Sequence, residues 1–127
     1  MSQDVERMLD AYERTINEID GDRQHAAARE ALTDDFRFVG PQLGQVVGRT
    51  AMVEAVNGAR EQAPSDSVQI RRTTAVDEHN GWLRFGWEFV DGAGRVLAAG
   101  MDVARLAPDG RLSQVVAFFG ELEPGGD

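Results

Sequence analysis

The sequence predicts an α+β domain, with three helices in its first half and an antiparallel sheet in its second. Three observations carry that expectation. Apolar residues recur at helical spacing up to about residue 63, they alternate from Ser67 onward, and short Gly-, Asp- and Asn-containing turns separate the alternating segments. At 127 residues the chain is long enough to bury a core as one domain, 1–127, with "EPGGD" (123–127) as a frayed tail.

The first helix is read from Val5, Met8, Leu9, Tyr12, Ile16 and Ile19, an apolar stripe separated by Asp, Glu and Arg. Gly21 is expected as its left-handed C-cap and Asp22 as the N-cap of a second helix, "DRQHAAAREAL". Ala27, Ala28, Ala31 and Leu32 give that helix a thin apolar side suited to close packing. "DDFRFVGP" alternates, so 36–39 reads as a short strand stopped by Gly40-Pro41. A loop, "QLGQVV", leads to Gly48 and a third helix, "RTAMVEAVNGAREQA". Met52, Val56, Ala59 and Ala63 form its inner side, and Pro64 closes it. Four strands then follow, "SVQIRRTTAV", "GWLRFGWEFV", "RVLAAGMDVARL" and "RLSQVVAFFG". The separators "DEHNG", "DGAG" and "APDG" are hairpin-sized, which predicts an antiparallel meander.

Composition narrows the function. Thirteen Lys and Arg against 22 Asp and Glu give a net charge of −9, which opposes binding to nucleic acid or to an anionic membrane. The acidic residues and the Arg71-Arg72 pair read as solvated surface. Cysteine is absent, so disulfides, thiolate chemistry and a thiol-based zinc site are excluded. His25 and His79 are the two histidines, far apart in sequence, so no metal site and no cofactor are expected. The N-terminal segment is charged and periodic, unlike a signal peptide, and no run approaches the ~20 apolar residues of a membrane span. The expectation is a soluble cytoplasmic domain.

Asp102 stands in the middle of the apolar run "AAGMDVARLAPDGRLSQVVAFFG". Strand alternation puts Leu83, Phe85, Trp87 and Phe89 on one face, and these aromatic residues must meet the helices. In the next strand parity leaves two choices. Either Leu97, Met101 and Val103 face inward and Asp102 is solvated, or Ala98, Gly100, Asp102 and Ala104 face inward. Small residues remove volume where something must fit, and this favours the second choice. In the last strand Val115, Ala117 and Phe119 share one face, Val116 and Phe118 the other. The second apolar face, with Met101 and Val103, predicts a homodimer through the outside of the sheet.

"IDGD" between two helices, "LTDDFRFVGP", "VGRTAMVEAV" and "GMDVARLAPDGRLSQVVAFF" occur in an order that resembles the nuclear transport factor 2-like superfamily. That group includes SnoaL-like polyketide cyclases, ketosteroid isomerases, limonene-epoxide hydrolases and scytalone dehydratases. The resemblance covers nearly the whole chain. It implies a cone: a strongly curved, mostly antiparallel sheet wrapped around a long N-terminal helix, with two further helices and an apolar cavity at the wide end.

The resemblance also implies site residues. Asp102 falls where ketosteroid isomerases keep a protonated aspartic acid that donates to an oxyanion. Tyr12 is near that family's second donor, with two extra residues before "GD" here, although its place on the inner stripe favours core packing with the hydroxyl bonded to backbone. Phe119 sits where the family has a pocket aromatic. Gly40, however, stands where the proton-moving aspartate belongs, and a general base must reach the substrate proton. Against the epoxide hydrolases, Phe38, Gly40 and Ala117 replace the water-orienting tyrosine, an asparagine and a C-terminal aspartate. The dehydratase pattern needs cavity histidines; His79 lies in a turn, and His25 is free to face either way. Catalytic candidates are therefore Asp102 and Tyr12, with Phe38, Phe85, Trp87, Ala98, Gly100, Val115 and Phe119 expected around a small apolar ligand. Isomerase- or cyclase-like action on a carbonyl or polycyclic compound, non-catalytic binding in the same cavity, and a dimerisation module with a filled cavity are the three functions this leaves.

Overall fold

The computed structural model describes residues 3–63 and 67–126. Helices α1 (Gln3–Asn17) and α2 (Gly21–Ala31) come first. Strands β1 (Leu32–Gly40) and β2 (Gly44–Val47) follow, then α3 (Arg49–Glu61). The rest is sheet: β3 (Gln69–Arg72), β4 (Asp77–His79), β5 (Trp82–Val90), β6 (Val96–Leu106) and β7 (Leu112–Phe119). The expected α+β order and the inner stripe of α1 are present, with Val5, Met8, Leu9 and Tyr12 buried. Ile19 lies beyond the helix and is 75% exposed.

The boundary between the first two helices differs from the expectation. Gly21 begins α2 and does not cap α1. The N-cap is Asp20, whose carboxylate accepts the Arg23 N–H at 3.1 Å, so Asp22 lies inside the first turn, where an acid is also favourable. The three helices are tied by buried polar groups. Gln24 Nε2 donates to the Thr15 carbonyl at 3.0 Å and to Asn57 Oδ1 at 2.8 Å, joining α2 to α1 and α3. On α3, Met52, Val53 and Val56 are buried, while Ala59 and Ala63 are half-buried. Pro64 lies outside the described residues.

Among the described residues the strands form one sheet in the order β2-β1-β7-β6-β5-β3, with β4 also paired to β5. The expected meander is the antiparallel run β3-β5-β6-β7. Three local expectations are corrected. The strand expected at 36–39 starts at Leu32, immediately after α2, and runs parallel to β7. The expected loop "QLGQVV" contains β2, because Gly44 at φ 71° allows a tight return that pairs Gly40 with Gly44 and Arg37 with Val47. The segment "SVQIRRTTAV" is broken, and "DEH" is strand, leaving Asn80 and Gly81 at positive φ as the turn into β5.

The Arg71-Arg72 pair is not simply solvated. Arg72 bonds Glu13 at 2.8 Å and Asp10 at 2.7 Å, and reaches Glu6 at 3.3 Å. Asn17 exchanges two 2.8 Å hydrogen bonds with the Ile70 backbone. These contacts clamp α1 onto β3, so the edge of the sheet is covered instead of open. The core lies between α1, α3 and the inner sheet face, with Leu9, Leu32, Phe36, Leu83 and Leu112 among its fully buried side chains.

Candidate functional site

Register positions Asp102. It pairs with Phe85 on β5 and Ala117 on β7, both inward-facing, so its side chain enters the space under the helices and is 3% exposed. The choice left open by parity is resolved in favour of the small-residue face. Trp87, two residues beyond Phe85, is the diagonal neighbour, within reach of a long aromatic side chain. Its indole Nε1 donates to Asp102 Oδ1 at 2.8 Å. Trp87 is held by edge-on contacts with Phe89 and Phe119, at ring-centroid distances of 5.6 and 4.9 Å.

Gly100 has a different role from the one expected. It lies opposite both Trp87 and Phe119, and a Cβ there would come within 2.6 Å of the indole and 2.1 Å of the Phe118 carbonyl. Its missing side chain makes room for Trp87 and for β7, not for a ligand. Phe85 and Val115 are likewise core residues, 3% and 0% exposed, and do not line the cavity.

Burial pushes the Asp102 carboxyl up to about 7, with the Trp87 hydrogen bond drawing it back toward the ionised form. Burial, and then the negative charge of Asp102, hold the Tyr12 hydroxyl well above its ordinary range. Two oxygens face open space. Asp102 Oδ2 and the Tyr12 hydroxyl have no hydrogen-bond partner among the described residues. No fully enclosed side-chain N or O there lacks a partner, so both oxygens must reach the cavity.

The cavity has a volume of about 670 Å³. Phe38, Trp87, Ala98 and Phe119, four of the expected lining residues, surround it with Tyr12 and Asp102. Residues that sequence reasoning did not place there are Gln42 and Leu43 of the β1–β2 turn, Gln62 after α3, and Arg60 on it. Arg60 had a signal: it lies four and eight residues after the inward-facing Val56 and Met52. Leu97 also lines the cavity, against its expected outward parity. A register shift leaves it without a β5 partner, between the pairs Phe89–Ala98 and Val90–Val96, and this bulge re-aims its side chain.

Gly40 and Ala117 both line the cavity, and a Cβ on Gly40 would lie 2.8 Å from the Phe38 ring. The position where the resemblance places a proton-moving aspartate is thus covered by an aromatic ring. His25 and His79 are exposed and away from Asp102. Among the described residues no cluster of His, Asp or Glu could hold a metal ion. No described helix is long and apolar enough to cross a membrane. The arrangement therefore offers one buried carboxyl with a free oxygen, one phenol and a surround that is apolar apart from Arg60, Gln42 and Gln62. That combination can donate hydrogen bonds to an acceptor on a bound molecule.

A model of the SnoaL-like domain family matches residues 5–115. A SnoaL-like family protein from Agrobacterium tumefaciens, named as a proposed isomerase, superposes with a TM-score of 0.83 at 26% identity, covering 94% of this chain and 100% of the other. A protein from Jannaschia sp., named as a proposed SnoaL-like polyketide cyclase, has a TM-score of 0.69 at 18% identity, covering 92% and 85%. An NTF2-like protein of unknown function from Exiguobacterium sp. gives 0.70 at 17% identity, covering 91% and 99%. No curated protein matches this chain.

Proposed function

The chain belongs to the SnoaL-like domain family, and from that premise we propose that it binds an apolar, flat small molecule bearing an acceptor oxygen, with Asp102 as the neutral donor. One observation carries the reading: the carboxyl group is buried in a mostly apolar cavity, has one hydrogen bond among the described residues, from Trp87, and turns its second oxygen to open space. An unpaired ionised carboxylate is costly there, so the proton stays on the group up to about pH 7. The Trp87 N–H occupies Oδ1, which leaves the acid proton for Oδ2, facing the ligand. The volume suits a fused-ring compound.

If the acceptor is a carbonyl, this contact withdraws electron density from it, and Tyr12 adds a second donor. A full proton relay also requires a base. Gly40 supplies none, and among the described residues the cavity lining contains no histidine and no second carboxylate. The supported activity is therefore binding with carbonyl polarisation, and ketosteroid-type isomerisation is disfavoured. Fold likeness alone assigns no reaction.

Titration of Trp87 fluorescence with 2-acetylnaphthalene tests the reading. Saturable binding is expected, with affinity falling as pH rises through about 7 in the wild type and staying level in Asp102→Asn. Saturable binding of nucleotides with no response to aromatic ketones would sink it.

A second proposal concerns the outer face of the sheet, where Met101 is 38% and Phe118 56% exposed beside half-buried Val103 and Val116. Pairs link Met101 to Phe118 and Val103 to Val116, so the four side chains form one patch. It suits a second copy of this chain. Val103→Asp should convert a dimer to monomer in sedimentation; a wild-type monomer at micromolar concentration overturns the proposal.

A further inference from the structure

Among the described residues that line the cavity, two are charged, Asp102 and Arg60. Their settings differ. Asp102 is buried, whereas Arg60 is half-buried on the C-terminal half of α3. Arg49, Arg72 and Arg84 each meet a carboxylate. Arg60 has no carboxylate partner among the described residues. It donates through Nη2 to the Ile16 carbonyl and through Nη1 to Asn57 Oδ1 at 3.5 Å, and both acceptors are neutral. A guanidinium has five N–H donors, so these two contacts fix its plane and leave donors over. Among the described residues Arg60 is thus a cation on the cavity wall with no carboxylate partner, and Asp102 is the one acid that shares the lining. Ile16 is near the C-terminal end of α1, where a cation is favourable, so Arg60 is held in place without its charge being neutralised.

We propose that Arg60 is a specificity residue for an anionic group, and that the ligand is an amphipathic acid: an apolar ring body with an acceptor oxygen for Asp102 and a carboxylate for Arg60. This rests on the cavity reading above and adds a second recognition point to it. The two charged groups have opposite preferences. Neutral Asp102 selects an acceptor without requiring charge, whereas Arg60 gains most from a carboxylate, which can accept two parallel N–H bonds. The polar Gln42 and Gln62 side chains also line the cavity, and the net charge of −9 argues against unspecific attraction of anions.

The test compares 6-acetyl-2-naphthoate with its methyl ester at pH 6, by Trp87 fluorescence, in the wild type, Arg60→Gln and Arg60→Lys. The two probes share the ketone and the ring and differ in charge. The acid should bind about tenfold more tightly than the ester in the wild type. Arg60→Gln should abolish that preference with ester affinity unchanged, and Arg60→Lys should restore part of it, because the charge returns without the fork. Equal binding of acid and ester by the wild type overturns the inference and leaves the cavity reading standing. So does an equal loss for both probes in Arg60→Gln, which would make Arg60 a tie between α1 and α3 alone. Failure of both probes to bind the wild type overturns both readings.

Discussion

At one end of the space between helices and sheet, Leu9, Leu32, Phe36, Val53 and Leu112 belong to one closed core cluster, all at most 1% exposed. At the other end Tyr12, from the same helix α1, meets Trp87 of β5 and Asp102 of β6 around a cavity of about 670 Å³. Small residues occur at both ends. Ala28, Ala31 and Ala104 serve close packing at the first, and Gly40 and Gly100 are covered by the rings of Phe38 and Trp87 at the second. The ends therefore differ less in side-chain volume than in polar atoms. The closed end satisfies its polar groups internally, as Gln24 does with Thr15 and Asn57, whereas the open end keeps two oxygens without partners among the described residues. The free oxygens at the open end support the proposal that a bound molecule's acceptor meets them.

The comparison breaks if the two ends respond alike to mutation. Phe36→Ala, at the closed end, should cost about 3–5 kcal/mol in denaturant unfolding, because a fully buried ring leaves a void. Phe119→Ala, at the open end and 40% exposed, should cost far less and weaken aromatic ligands instead. Equal losses of stability would show that the cavity wall is ordinary core.

The next effect is electrostatic. The folded pKa of Asp102, about 7, lies above the unfolded value of ~3.9, so folding favours the protonated form. The stabilisation is full below pH ~4, is lost as pH rises to about 7, and levels off above it. Asp102→Asn removes this dependence. The difference in unfolding free energy, Asn minus Asp, should grow by about 1.4 kcal/mol per pH unit across that window. A difference that stays flat would mean that the carboxyl is solvated.

Smallest is the effect of the indole donor. Trp87→Phe keeps the ring and removes the hydrogen bond to Asp102, which should cost about 1–3 kcal/mol of stability. It should also move the carboxyl pKa higher, since the lost bond favoured the ionised form. A lower pKa in the variant would mean that Trp87 does not bond the carboxylate.

Much of this was legible beforehand. Period-two alternation placed Leu83, Phe85 and Trp87 inward, the apolar run and the small residues sharing its face singled out Asp102, and the family resemblance supplied the curvature. What eluded the sequence was set by contacts distant in the chain. The parallel pairing of β1 with β7 has no local signature, and it is what extends β1 back to Leu32. Leu97 broke parity through a bulge defined only by its partner strand. Gly100 was misread because its vacant volume is filled by Trp87, thirteen residues earlier in the chain. The Trp87–Asp102 bond was likewise invisible, since it joins diagonal and not opposing residues of a hairpin whose exact register the turn "DGAG" does not specify. Arg60 carried helical spacing but no sign that it lacked a carboxylate.

The central claim is that the cavity holds a carboxyl group that keeps its proton up to about pH 7. Its most direct test is a carbon-13 NMR titration of the Asp102 side-chain carboxyl in the ligand-free wild-type protein, assigned with Asp102→Asn. The account requires a midpoint of about 7. A midpoint near the ordinary ~3.9 would contradict it, because the group would then be ionised wherever the protein is normally handled.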